Sequence, residues 1–243
     1  MTADLLSDRS VIFNPDAKPV LHTVGEERTP LLVIDDLLLN PDAMVRQACQ
    51  PPEFSANNQD FYPGKRKAAP LDYDEQLIQR YSALISSSYG INQSKQPNTL
   101  LSAFSLTMTK AEALRPIQML PHFDSPSSDQ FAVVHYLFNA PLGGTSLYRH
   151  RESRFESITH ERLPLYGKRL KQQAYGMQLH QNPAYTNGSS PLFEQIHSVE
   201  PKFNRAIIYP SNCLHSADIS ADSKLTDNPA TGRLTLNSFI LFK

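Results

Sequence analysis

From residue 99 to the end of the chain, apolar residues come in short runs separated by polar, turn-forming stretches: "TLLSAFSLTMT", "QFAVVHYLFN", "GGTSLYRH", "NRAIIYP" and "GRLTLNSFILF". Runs of this length, rich in β-branched and aromatic residues, predict strands. The run "FAVVHYLF" is apolar at both alternating sets of positions, so its strand needs cover on both faces. A two-sheet sandwich or jelly roll provides that cover more readily than a parallel sheet with crossover helices. Nineteen prolines against nine glycines point the same way, toward rigid turns and few long helices.

The first hundred residues read as mixed. In "TPLLVIDDLLLNPDAMVRQAC" an apolar strand at 31–34 leads through an acidic turn to Asn40 as helix N-cap, with Pro41 at the first helical position. Leu77, Tyr81, Leu84 and Ile85 recur at helical spacing in "DYDEQLIQRYSALISSSYG", and Gly90 ends the pattern. Between the two helices, "PPEFSANNQDFYPGKRKAAP" shows no periodicity, and "FYPGKRKAAP" reads as a surface turn, with a substrate loop as the lesser alternative. Residues 151–200 break the series of strands with a charged, proline-containing segment, expected to be helical in part and a candidate lid or substrate wall. The expected fold is α+β, mainly β: a double-stranded β-helix (jelly roll, cupin-like) with N-terminal helices packed on one sheet. As a single domain over 1–243, it would comprise a mixed α/β extension at 1–98 and a double-stranded β-helix core at 99–243 carrying the 151–200 insertion.

The composition narrows the choice of partners. With 23 basic and 24 acidic residues the net charge is −1, so no basic excess exists to hold a nucleic acid backbone. No apolar run reaches the roughly 20 residues that span a bilayer, and "MTADLLSDRS" lacks the basic-then-apolar pattern of a secretory signal. The expectation is a cytoplasmic protein acting on a small-molecule or peptide substrate, with neither nucleic acid nor membrane as partner. Cys49 and Cys213 are too few for a disulfide framework and are expected to be buried small hydrophobes.

Candidate chemistry centres on "MLPHFDSP". In an extended chain His122 and Asp124 point the same way, as two ligands of one metal would; the spacing alone is also expected about once by chance in a chain with eight histidines and 24 acidic residues. A mononuclear Fe(II) site that activates oxygen needs two imidazoles and a carboxylate on one face. His215, at the end of the strand in "AIIYPSNCLHSADI", can supply the third ligand. In "TGRLTLNSF", Arg233 and Thr235 then point to one side of another strand, and an arginine aimed into an apolar barrel calls for an anion. His135 faces away from Tyr136 and reads as structural. His150 and Glu152, amid Arg149, Arg151 and Arg154, read as a solvated face, with contact to an anionic substrate as the lesser alternative.

The ordered set "HFD", "YLFN", "GGTSLY", "NRAIIYPSNCLHS" and "GRLTLNSF" resembles the Fe(II)/2-oxoglutarate-dependent oxygenase superfamily in its prolyl-hydroxylase-like branch, and also a family of uncharacterised bacterial proteins related to that branch. "LLVIDDLLLNPDAMV" is similar to the opening strand and helix of many such enzymes, so the resemblance covers about 30–50 and 100–243. It implies His122, Asp124 and His215 as iron ligands and Arg233 as the residue that binds the outer carboxylate of 2-oxoglutarate. By the same resemblance, Tyr136 donates a hydrogen bond to that carboxylate and Thr235 stands beside the arginine. The activity implied is hydroxylation of an unactivated C–H bond, and a carboxylate at position 124 argues against halogenation. Asn237 departs from the pattern, since an aromatic residue often follows the arginine, and the 151–200 segment has no counterpart. A cupin-type protein that binds a metal or small ligand without oxoglutarate turnover is the alternative, and Arg233 is the residue that separates the two.

Overall fold

The computed structural model describes residues 11–56 and 61–243. The start of the chain, where no secretory signal is expected, and residues 57–60 of the turn-rich stretch lie outside the described residues. The fold is mostly β, in antiparallel sheets. In chain order the elements are β1 (Pro19–Val24), β2 (Thr29–Ile34), α1 (Pro41–Ala48), β3 (Gly64–Ala68), α2 (Leu71–Tyr89), β4 (Pro97–Thr107), β5 (Gln130–Tyr136), β6 (Thr145–His150), α3 (Leu163–Gly176), β7 (Phe193–Val199), β8 (Ala206–Pro210), β9 (His215–Ala217) and β10 (Arg233–Phe242). Seven strands form one sheet in the order β1-β2-β8-β5-β10-β4-β3, and three form a second, β7-β6-β9. Among the described residues, no helix is long and apolar enough to cross a membrane.

Strand β10 organises the large sheet, paired to β4 along one edge and β5 along the other. Its alternation separates two interiors. Leu234, Leu236, Ile240 and Phe242 pack outward with Tyr73, Leu77, Tyr81 and Ile85, the buried stripe of α2, as expected for a helix laid on one sheet. Arg233, Thr235, Asn237 and Phe239 turn inward and border a cavity. Helix α2 stops at Gly90, whose left-handed φ of 65° lets the following amide, that of Ile91, return to the Ser86 carbonyl (2.9 Å).

Three expectations need correction. "FYPGKRKAAP" is not merely a surface turn, because Gly64–Ala68 forms strand β3 against β4. Lys67 of that strand is buried, and its Nζ donates to the carbonyls of Gln47 (2.8 Å), Ala48 (3.2 Å) and Gln50, closing the C-terminal end of α1 with a positive charge. The 151–200 segment does contain a helix, α3, but it also contributes β7, the partner of β6 in the small sheet. Of the two cysteines, Cys213 is buried as expected, whereas Cys49 is exposed just past the end of α1.

His135 on β5 joins three elements in the core. The side chain of Asn204 is oriented by Leu38, whose amide donates to Oδ1 (3.0 Å) and whose carbonyl accepts from Nδ2 (2.8 Å). Oδ1 can therefore only accept from His135 Nε2 (3.2 Å), leaving Nδ1 to accept from the Tyr73 hydroxyl (3.2 Å). The neutral ring satisfies every partner, and burial lowers its pKa from 6.5 to about 4, against a smaller upward pull from Asn204. The unfolded chain thus takes up this proton first as pH falls. The stabilisation is complete above 6.5 and is lost toward 4, worth about 3 kcal/mol at 1.36 kcal/mol per pH unit. His135→Gln keeps a donor and an acceptor but cannot titrate. In urea unfolding it should lower stability at neutral pH and shrink the difference between neutral and acidic midpoints; an unchanged difference would assign the acid sensitivity elsewhere.

Candidate metal and anion site

The segment carrying "HFD" runs antiparallel to the chain entering β9. His122 and His215 exchange both backbone hydrogen bonds (2.9 and 2.8 Å), and the Asp124 amide donates to the Ser211 carbonyl (2.8 Å). This pairing sets the two rings side by side, with centroids 4.4 Å apart. Asp124, two residues beyond His122, brings Oδ1 to 3.8 Å from His122 Nε2 and Oδ2 to 3.5 Å from His215 Nε2. One donor atom from each residue falls within a 4.8 Å span, an arrangement that could hold one metal ion. His215 Nδ1 lies 2.9 Å from the Cys213 carbonyl, which can only accept, so the proton sits on Nδ1 and the Nε2 lone pair faces the cluster.

The donor chemistry fits a divalent transition metal. Desolvation within the cavity lowers the pKa of His122, whose side chain is half exposed, and of the buried His215 to about 4, helped in His122 by the neighbouring His215, so both rings are neutral at neutral pH, the form that ligates. Burial raises the pKa of Asp124, opposed by His122 and Arg66. Two imidazoles and one carboxylate facing one point form the set that suits non-haem iron and leaves coordination positions open.

These three side chains border a cavity of about 680 Å³, and Arg233 borders it too. Arg233 is 4% exposed. Its guanidinium donates to the carbonyls of Gly143 (3.1 Å) and Gly144 (2.8 Å) and to Thr107 Oγ1 (3.3 Å), and among the described residues no carboxylate lies within ion-pair distance. The two glycines are required by the neighbouring backbone. A Cβ on Gly143, at φ +80°, would stand 1.9 Å from the Asp218 carbonyl oxygen, and one on Gly144 would stand 1.8 Å from that of Val199. "GG" before β6 thus lets the chain pass close to Asp218 and Val199, and the carbonyls of the same two glycines meet Arg233.

The remaining expected residues fall at different depths. Thr235 is buried, borders the cavity, and its hydroxyl donates to the Ser105 carbonyl (3.4 Å). The Tyr136 hydroxyl is taken up by Thr145 Oγ1 (2.8 Å), and it is Thr145 that borders the cavity. Asn237 also lines it, with Oδ1 buried and without a hydrogen bond. Sequence reasoning passed over Tyr62, whose hydroxyl pairs with Thr107 Oγ1 (2.8 Å), and Arg66, whose guanidinium lies 4.5 Å from the Tyr62 ring centre; both line the cavity. Burial raises the Tyr62 pKa, with Arg233 pulling it back down. "YPGKR" held the signal, an aromatic and an arginine alternating with glycine, but only the β3 pairing aims them.

The expected solvated face holds for Arg151, Glu152 and Arg154, which are exposed, but not for Arg149 and His150. Arg149 is buried, donating to Glu156 (2.7 Å) and Glu194 (2.9 Å), and Glu156 also accepts the amides of Glu26 and Glu27 (3.0 Å each). His150 is fully buried, bonded to Ser153 and to Gln173 of α3 (2.8 Å each). Glu152 pairs with Arg169 and Arg154 with Glu26 nearer the surface. None of these borders the cavity, so they serve to tie α3 and the β1–β2 turn to the small sheet.

If the three donors act as one site, the chain should bind one equivalent of Fe(II) or Co(II) anaerobically. His215→Ala should lower that affinity by at least about tenfold, the scale of losing one ligand or its orientation. Calorimetric titration of both proteins checks this, and equal binding by the variant would remove His215 from the ligand set.

Residues 15–240 match the profile of a family of unknown function, DUF6445. No match is found among curated proteins. Among solved structures, HygX from Streptomyces hygroscopicus, crystallised with nickel and 2-oxoglutarate bound, aligns with a TM-score of 0.47 and 11% identity over 88% of this chain and 84% of its own, a likeness too slight to bear on fold or chemistry. The profile match covers nearly the whole chain, and the chain belongs to the DUF6445 family.

Proposed function

We propose that this protein is an Fe(II)- and 2-oxoglutarate-dependent oxygenase, hydroxylating an unactivated C–H bond of a small molecule or peptide in the cytoplasm. We further propose that residues 1–243 form one domain whose two facing sheets make a double-stranded β-helix, with 1–98 supplying flanking helices and added strands. The observation that carries the reading is the pairing, in one cavity, of the His122, Asp124 and His215 donors with a buried arginine that has no carboxylate partner. A metal-binding cupin has no use for that cation; a dicarboxylate bound at the metal by one end satisfies it with the other.

His122, Asp124 and His215 would hold the iron. With 2-oxoglutarate and oxygen, iron supplies the oxidising power for hydroxylation, with succinate and CO2 as co-products. The chain's own groups bind and orient. Arg233 offers its guanidinium to the outer carboxylate, with Tyr62, Thr107 and Thr145 as the hydroxyls closest to that role along the same wall. The Gly143 and Gly144 carbonyls keep Arg233 from swinging toward solvent. The Cys213 carbonyl fixes the His215 ring.

Fe(II) and 2-oxoglutarate added without oxygen should give a weak visible charge-transfer band, and admitting oxygen should give succinate. Arg233→Ala should weaken 2-oxoglutarate binding by roughly 2 to 5 kcal/mol, the scale for truncating one partner of a buried charge pair, with metal affinity nearly unchanged. Metal binding without a band would turn the reading to a non-oxoglutarate cupin, and joint loss of metal and co-substrate in Arg233→Ala would count against the assigned roles.

A further inference from the structure

Away from the metal donors and Arg233, the cavity wall changes character. Phe61 and Ile117 stand at its rim, 58% and 50% exposed, although both are large and apolar. Phe61 is held in place: the Arg115 guanidinium lies 4.9 Å from its ring centre, and Gln118 Nε2 donates to its carbonyl (3.0 Å). Leu120, Phe123 and Leu170 continue the wall inward, packed beside Tyr166 of α3. Two features limit what can enter. Asp124 is the one carboxylate on the wall among the described residues, and it belongs to the metal cluster, so a cationic ligand meets no acid of its own. The nearby edge of the large sheet is closed to an added peptide strand, because Ser55 and Arg66 already exchange backbone hydrogen bonds (2.8 and 2.9 Å).

We propose that the prime substrate is a small molecule with a ring-sized apolar body, seated between the Phe61–Ile117 rim and Leu170, and neither a polypeptide segment nor a cation. This rests on the reading above that the cavity floor is given to metal and co-substrate. The cavity of about 680 Å³ must hold metal and co-substrate as well, which leaves room for a small body rather than a large one, and apolar groups at an open rim have a use when such a ligand covers them.

The chain contains no tryptophan, so the emission of an added indole reports its own burial. Indole, tryptamine and a capped tripeptide with a central tryptophan would be titrated into protein loaded anaerobically with Fe(II) and 2-oxoglutarate. The expected result is a saturable blue shift with indole, and binding at least about tenfold weaker for tryptamine and for the tripeptide. Ile117→Asp places a carboxylate on an already exposed rim position and should reverse the preference between indole and tryptamine while leaving the chelate band in place. Equal or tighter binding of tryptamine or the tripeptide by the unmodified chain overturns the proposal, as does an unchanged preference in Ile117→Asp. Indole binding that reverses in the variant without any chelate band refutes the oxygenase reading and leaves the pocket's preference standing.

Discussion

Two backbone hydrogen bonds, exchanged between His122 and His215, hold together residues 93 positions apart in sequence. Everything asked of the metal cluster depends on that register. Side chains alternate along an extended chain, so a slip of one residue would turn His122 and Asp124 away and point Phe123 at His215. The register is fixed from both sides, by Ser211 accepting the Asp124 amide and by β9 pairing with β6 through Leu147 and His215. The imidazole orientation then follows from a local contact, the Cys213 carbonyl two residues before the ring it fixes. Once the strands are paired, the ligand geometry needs no further device.

What the sequence discloses and what it hides divide along a physical line. Strands buried on one or both faces write themselves as apolar runs, and β5, β8 and β10 stand where "QFAVVHYLFN", "NRAIIYP" and "GRLTLNSFILF" place them. Strand β3 does not, because "GKRKA" lies at a sheet edge and spends its side chains on capping a helix and on the cavity wall. Strand β7, "FEQIHSV", is also disguised, with most of its side chains only partly buried. The three candidate ligands were legible as a set because two sit in one short motif and the third opens the strand that follows an apolar run and its turn. Tyr62 and Thr107 were not, since they meet only across the β3–β4 pairing and carry no motif of their own.

Charged residues were misjudged for a related reason. "YRHRESR" has the composition of a surface, yet its first arginine and its histidine face inward. Their partners come from far along the chain, Glu156 and Glu194 for Arg149 and Gln173 for His150, so the local pattern cannot show that the burial is compensated. Through Gln173 this cluster reaches α3, the helix that carries the cavity-wall residues Tyr166 and Leu170.

The same chain therefore buries two arginines and treats them differently. Arg149 meets three carboxylates, Glu26, Glu156 and Glu194, and its charge is balanced without any ligand. Arg233, buried as deeply, meets two glycine carbonyls and a hydroxyl, whose dipoles orient it but do not cancel its charge. Removing a guanidinium from water costs several kcal/mol unless an anion answers it, and this chain demonstrably has the means to supply one. Placing Arg233 on the wall of a cavity that also holds three groups able to ligate a metal, with no carboxylate within ion-pair distance among the described residues, is a cost that the proposed binding of a ligand's anion would offset.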